Sequence, residues 1–363
     1  MVSNMESKLR ILVINPGSTS TKIAVFDNEQ QLFEETLRHS TKELEVFDTI
    51  LDQYTFRKDA IISALEKRQI ELSSLSTIVG RGGILKPIEG GTYLLEDKLI
   101  EALREGAIQK GHACNLAGLI ANDIAKELDI KAYMVDPPCV DEMDDVARIT
   151  GLEGTSRISM FHALNQKAVA RRAAKKIGKR YEECNFIIAH VGGGISVGAH
   201  KKGRVIDVNN ALDGDGPFSP ERSGELPTGD LVDLCFSGKY TKQQIKKLLA
   251  GKGGIVSYLG VNDVRVVQEM IEKGNEKAIL IYEAMVYQVA KAIGAMATVL
   301  MGDYDMIILT GGIAYSKMFS EKLRKRINFL GEFEVFPGED ELIALAEGGL
   351  RILTGEETAK LFK

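Results

Sequence analysis

The sequence predicts an α/β fold built twice over, two like halves facing each other across a cleft. Three observations predict it. Short β-rich runs at 9–15, 21–27, 75–80, 131–135, 185–190, 195–199, 204–208, 305–310 and 333–336 alternate with segments of helical period, the pattern of layered α/β proteins. The stretches ILVINPGSTSTKIAVF (11–26) and FIIAHVGGGISVGAH (186–200) share one plan: an apolar strand, a polar residue, a glycine-bearing turn and a second apolar strand. A third glycine turn, in MIILTGGIAYSKMF (306–319), joins a strand to a helix.

Taken in chain order, the N-terminus MVSNMESKLR is polar and leads into only four strongly apolar residues, too few for a secretory leader. The first hairpin follows, with QQLFEETLRHS as a third strand. The run at 75–80 ends in Gly-Arg-Gly-Gly, which predicts Arg81 in a Gly-rich loop where a substrate could reach it. After the strand at 131–135, Asp136 precedes two prolines that prevent an immediate helix. RITGLEGTSR (148–157), with two glycines among small polar residues, marks a hinge near residue 150. The predicted domains are therefore 1–150 with a returning C-terminal helix, 341–363, and 151–340. His162 begins the helix HALNQKAVARRAAKKIG, and His190 ends the strand of the second hairpin, with RVIDVNN as its third strand. From about 275 to 301, Ile279, Tyr282, Val286, Val289, Ile293, Met296 and Leu300 repeat every three or four residues in one apolar stripe. That stripe is either the core of the second half or a subunit interface.

Composition excludes several classes. The chain has 363 residues and a net charge of -5, which argues against nucleic acid held by bulk charge. Four scattered cysteines without a Cys-x-x-Cys pair suggest neither a disulfide framework nor zinc. The most apolar stretch, AIGAMATVLM, is about half a bilayer span. A soluble, cytoplasmic protein without membrane or nucleic-acid partners is expected.

Tight glycine turns let successive backbone N–H groups converge into an anion nest suited to phosphate. In the first turn Ser18, Thr19, Ser20 and Thr21 add hydroxyls and Lys22 a cation; in the second, Gly192, Gly193 and Gly194 follow His190. No Gly-x-x-x-x-Gly-Lys-Ser/Thr motif occurs, and VGGGISVG is not a Gly-x-Gly-x-x-Gly. A nucleotide held between two hairpin turns fits better, with Gly311, Gly312 and Ile313 of the third turn letting a flat base approach the backbone.

INPGSTSTKIAVF, FIIAHVGGGISVGAH, PERSGELPTGDL and VFPGEDELIALAEGGL resemble the acetate and butyrate kinase family, and most closely its butyrate branch. The resemblance covers essentially the whole chain. It implies two duplicated actin-like (ribonuclease H-like) domains with an interdomain nucleotide cleft. It also implies reversible phosphoryl transfer with Mg²⁺, from ATP to butyrate or a branched short-chain acid, giving ADP and an acyl phosphate, in a homo-oligomer built from dimers. By the same resemblance Asn15, Ser18, Ser20 and Lys22 belong to the first phosphate turn and His190 with Gly192–Gly194 to the second. Arg81 would face the carboxylate or acyl phosphate, Asp136 would be a catalytic or metal-ordering acid, and His162 and Arg222 would complete the catalytic set. Asp340 stands where the family has a metal-side glutamate, with Glu339 and Glu341 as neighbours able to replace it. Gly193 stands where acetate kinases have an asparagine.

The chemistry suits these residue types. Phosphoryl transfer between two oxyanions passes a loose, in-line transition state, so a protein mainly positions and neutralises. Arginine offers fixed donors to phosphate and carboxylate. His190, beside the nest, is placed to hydrogen-bond a phosphoryl oxygen, whereas His162 fits a first-turn structural role as well as a substrate contact. Two other readings remain: an acetate, propionate or sugar kinase of the same fold, and a non-catalytic actin-like nucleotide module with no use for Arg81 and Arg222.

Overall fold

The structure, a computed structural model, describes residues 8–110 and 112–363. Most of the N-terminal segment read as too polar for a leader lies outside them. The chain divides into two compact units, Met1–Val140 with Asp340–Lys363, and Asp141–Glu339.

Unit 1 holds a six-stranded sheet. In chain order its strands are β1 (Arg10–Pro16), β2 (Ser20–Asp27), β3 (Gln30–Arg38), β4 (Thr77–Arg81), β5 (Thr92–Leu94) and β6 (Ala132–Val135), arranged β3-β2-β1-β4-β6-β5. Unit 2 holds β7 (Asn185–Val191), β8 (Ile195–Lys201), β9 (Arg204–Val208), β10 (Met306–Gly311) and β11 (Phe333–Pro337), arranged β11-β10-β7-β8-β9. Five strands of unit 1 repeat the topology of unit 2, and β5 adds an antiparallel edge beside β6. An antiparallel meander of three strands is followed in each unit by two strands added in parallel, one beside the first and the next beyond it. Even the register shift recurs, between Val25 and Phe26 in one unit and between Ala199 and His200 in the other. This is the duplication the paired hairpins predict.

β1, β7 and β10 carry continuous apolar runs, at 11–14, 186–189 and 306–309, because they lie inside their sheets and are covered on both faces. β5 escaped the sequence pattern: three residues are too few to show a period, and only its pairing with β6 makes it a strand.

The glycine-rich segment at 148–157 is not where the units part. Arg148 holds both carboxylate oxygens of Asp141 at 2.6 Å, Ile149 bridges to Ser156, and Asp144 N–H donates to Ile206 O at 2.9 Å. Residues 141–157 are thereby stitched into unit 2. Small polar residues mark a turn, and a turn inside a domain reads like one between domains.

The helix Glu276–Val299, capped by the Asn275 side chain, carries the apolar stripe. Tyr282, Val286, Val289, Ile293, Met296 and Leu300 are buried in the core of unit 2. Ile279 is exposed instead, and Ala278, Ile281 and Met285 widen the buried face. By length and mean hydropathy this helix, alone among the described residues, is long and apolar enough to cross a membrane. Its packing against the unit 2 sheet accounts for that composition. The C-terminal helix Glu341–Leu353 packs on β1, β4 and β6 of unit 1.

Candidate active site

In unit 1 the parallel register of β1 and β4 pairs Ile14 with Gly80, which sets Asn15 beside Arg81 at the strand ends. One acidic residue joins them. Glu341 Oε2 accepts from Asn15 Nδ2 at 2.8 Å and from Arg81 Nη1 at 2.6 Å. The structure thus brings Glu341, rather than Asp340, to the arginine. Asp340 is exposed, in the left-handed region at φ 43°, where it begins the C-terminal helix. Asp136 follows β6 at φ 36° and is buried; its Oδ1 accepts from Gly91 N–H at 2.7 Å, and its own N–H donates to Gly91 O. At least one oxygen of that carboxylate therefore serves the backbone.

The first glycine turn displays Ser18, Thr19 and Lys22 to solvent, with Ser20 half-buried. Thr21 departs from the expected set of hydroxyl donors. Its side chain is fully buried, with Oγ1 bonded to His39 Nε2 at 2.9 Å and accepting from Arg57 at 3.1 Å. Strand alternation after the turn sends it inward while Lys22 points out.

In unit 2 His190 is buried and its ring stacks on that of His162, with centroids 3.7 Å apart. The surrounding hydrogen bonds assign the ring protons. Asn165 Nδ2 donates to the carbonyls of Gly338 and Glu339, so its Oδ1 accepts from His190 Nδ1, 2.7 Å away. Nε2 of His190 then lies 3.7 Å from Glu339 Oε1, with no hydrogen-bond partner among the described residues. Ser196 Oγ accepts from Gln166 Nε2 and is hydrogen-bonded with His162 Nδ1 at 2.8 Å. His162 precedes the helix Ala163–Lys176 and makes no side-chain cap there.

Arg222 and the second glycine turn form one unit. Ser219 Oγ donates to Gly193 O at 2.6 Å and accepts from Arg222 N–H, while Arg222 Nη1 donates to Ala211 O at 2.7 Å. The guanidinium passes so near Gly194 that a Cβ there would stand 1.9 Å from Nη1, which explains the glycine. Burial lowers the Arg222 pKa from its ordinary value, opposed by the charge of Glu221.

A cavity of about 570 Å³ in unit 2 is lined by Gly192, Gly193, Gly312, Ile313 and Glu339, so the second and third turns open onto one space. Asn262, Asp263 and Gln268 line it too, and sequence reading missed them. Their signal was an Asn-Asp pair before an amphipathic run: Asp263 caps the helix Val264–Glu272. Hydrogen bonds from Arg265 hold the Asp263 carboxyl down at about 2. Phe218, in the loop before Arg222, belongs to the core of unit 2. Among the described residues no three or more His, Cys, Asp or Glu side chains form a metal cage.

Comparison with known proteins follows the same lines. Residues 153–355 match the Acetokinase family. The chain is 57% identical over 354 residues to butyrate kinase 1 of Clostridium acetobutylicum, covering 98% of this chain and 99% of that protein. It is 55% identical over 356 residues to butyrate kinase 2 of the same organism, covering 98% and 100%. Among solved structures, the acetate kinase of Porphyromonas gingivalis matches with a TM-score of 0.79 at 21% identity, over 95% of this chain and 100% of that one. That last likeness shows the fold. Duplicated sheets, the family match and identity over nearly the whole length agree, and the chain belongs to the acetokinase family.

Proposed function

We propose that this protein is a butyrate kinase. A butyrate carboxylate oxygen attacks the γ-phosphorus of ATP, the bond to the β–γ bridging oxygen breaks, and ADP and butyryl phosphate leave; the reaction is reversible. The phosphoryl-transfer reading is carried by the cavity shared by the second and third glycine turns, beside the unpartnered His190 Nε2. The identity to butyrate kinases supports the acid.

Each residue has a task. The carboxylate needs no base, being ionised at neutral pH. Arg81, anchored through Nη1 to Glu341, keeps Nη2 for the carboxylate or acyl phosphate. Arg222 neutralises charge on the transferring group. With its Nδ1 hydrogen committed to Asn165, His190 offers Nε2 to the transferring phosphoryl group.

Mg²⁺ fits the exposed carboxylate of Asp340, since it is usually held by one or two carboxylates together with substrate phosphates. Bound there, it would neutralise phosphate charge. Asp340→Asn is expected to raise the Mg²⁺ concentration for half-maximal rate several-fold. Unchanged Mg²⁺ dependence in both Asp340→Asn and Asp136→Asn would move the metal to Glu339 or Glu341. The same reading makes the protein a cytoplasmic homo-oligomer built from dimers, for which Leu280 and Tyr287, exposed on the helix Glu276–Val299, offer apolar surface.

The acid is tested by trapping acyl phosphate with hydroxylamine from acetate to hexanoate. Two methylenes at about 0.8 kcal/mol each favour butyrate over acetate by roughly tenfold, while propionate and valerate remain substrates. The expected maximum is at four carbons. A maximum at acetate makes this an acetate kinase, and failure with every acid despite ATP binding leaves a non-catalytic nucleotide module.

A further inference from the structure

Behind the first glycine turn lies a charged group that the reaction scheme leaves unused. Arg57, on the helix Tyr54–Lys67, is completely buried. Its Nη1 donates to Gly17 O at 2.9 Å, Ser20 O at 3.0 Å and Thr21 Oγ1 at 3.1 Å; Nη2 donates to Ser18 O and Gln53 Oε1, both at 2.9 Å. Nε donates to Gln53 Oε1 at 3.0 Å. The remaining turn carbonyl, that of Thr19, accepts from His39 N–H at 2.9 Å. All four carbonyls from Gly17 to Ser20 are thus drawn to the protein side. The N–H groups of Ser18 and Thr19, in exposed residues, are left without an acceptor among the described residues.

Charge adds to this geometry. Every acceptor of Arg57 is neutral, and no carboxylate pairs with it among the described residues. Burying a guanidinium without a counter-ion is costly. Burial pushes its pKa down to about 10, which leaves it charged at neutral pH.

We propose that Arg57 is a positioning residue for the first phosphate turn: it gathers the turn's carbonyls behind it, aims the Ser18 and Thr19 N–H groups outward, and supplies a buried positive charge whose counter-ion is a phosphate group of the nucleotide. The proposal rests on reading this turn as a phosphate site, and it accounts for a buried cation with no partner of its own.

Gln53→Glu separates charge from structure. It puts a carboxylate where Oε1 already accepts two bonds from Arg57, keeping the shape while neutralising the charge. The expected result is an unchanged or higher melting temperature with KM for ATP raised about tenfold. A purely structural Arg57 predicts a silent or merely stabilising change, and wild-type KM in Gln53→Glu overturns the proposal. Should that variant not fold, Arg57→Lys and Arg57→Met decide: lysine keeps KM for ATP within about threefold and methionine raises it about tenfold, whereas equal values for the two overturn it. Lys22→Ala tests the underlying reading. If it raises KM while Gln53→Glu does not, the turn is a phosphate site and only the role of Arg57 falls; if neither raises KM, both readings fall.

Discussion

Arg222→Ala is expected to keep ADP affinity within a few fold while acyl phosphate formation falls roughly 100- to 1,000-fold, the loss typical of removing one preorganised donor to a developing charge. The expectation follows from how the side chain is held. One nitrogen is committed to the Ala211 carbonyl, the chain behind it is tied through Ser219 to the second glycine turn, and Gly194 leaves room for the guanidinium beside that turn. The group is thus oriented before substrate arrives. Half-buried, it is screened less by water than a surface arginine. Its loop is fixed independently of the guanidinium, since Ser219 N–H donates to Arg222 O at 3.0 Å and Ile255 N–H to Ser219 O at 3.1 Å. Truncation should therefore leave the fold in place. Calorimetric titration with ADP and a single-turnover assay separate binding from chemistry. Near-normal turnover in the folded variant would remove Arg222 from the site.

Neighbouring glycines in the third turn are expected to behave oppositely. Gly311 adopts φ 90° and ψ 174°, a conformation essentially reserved for glycine, and a Cβ would stand 2.5 Å from the backbone oxygen of Val191 in the adjacent strand. Gly311→Ala combines backbone strain of about 1–3 kcal/mol with an overlap that β7, at the centre of its sheet, cannot relieve by a rotamer change. A loss of about 3 kcal/mol or more is expected in urea unfolding. At Gly312 the same methyl meets nothing within 4 Å, and the backbone is ordinary. Gly312→Ala should stay within about 0.5 kcal/mol of the wild type, yet it adds a methyl to a residue lining the cavity, so its effect belongs in KM for ATP. Equal stability losses in the two variants would contradict this account of the turn.

The duplicated hairpins were legible because strand period and glycine turns are local properties, and the family resemblance rests on the same short motifs. β5 was not legible, because its three residues are a strand only by virtue of β6. The boundary near residue 150 was misplaced by ten residues because composition records a turn and not what the turn bonds to.

By itself the sequence determined the repeated α/β plan, the glycine turns and the candidate ends of β1, β4 and β7, since apolar period and missing side chains act within a few residues. Only the tertiary structure decided which groups meet. Arg81 and Glu341 lie 260 positions apart and are joined because the C-terminal helix packs on β1 and β4, which selects Glu341 over its neighbours in Gly-Glu-Asp-Glu. Asn165, which sets the His190 proton, and Arg57, which turns the first loop's carbonyls inward, read in sequence as ordinary polar residues on helices. Hydrogen bonding has no sequence period: a donor reaches whatever acceptor the fold brings within about 3 Å, and that is fixed when the elements pack.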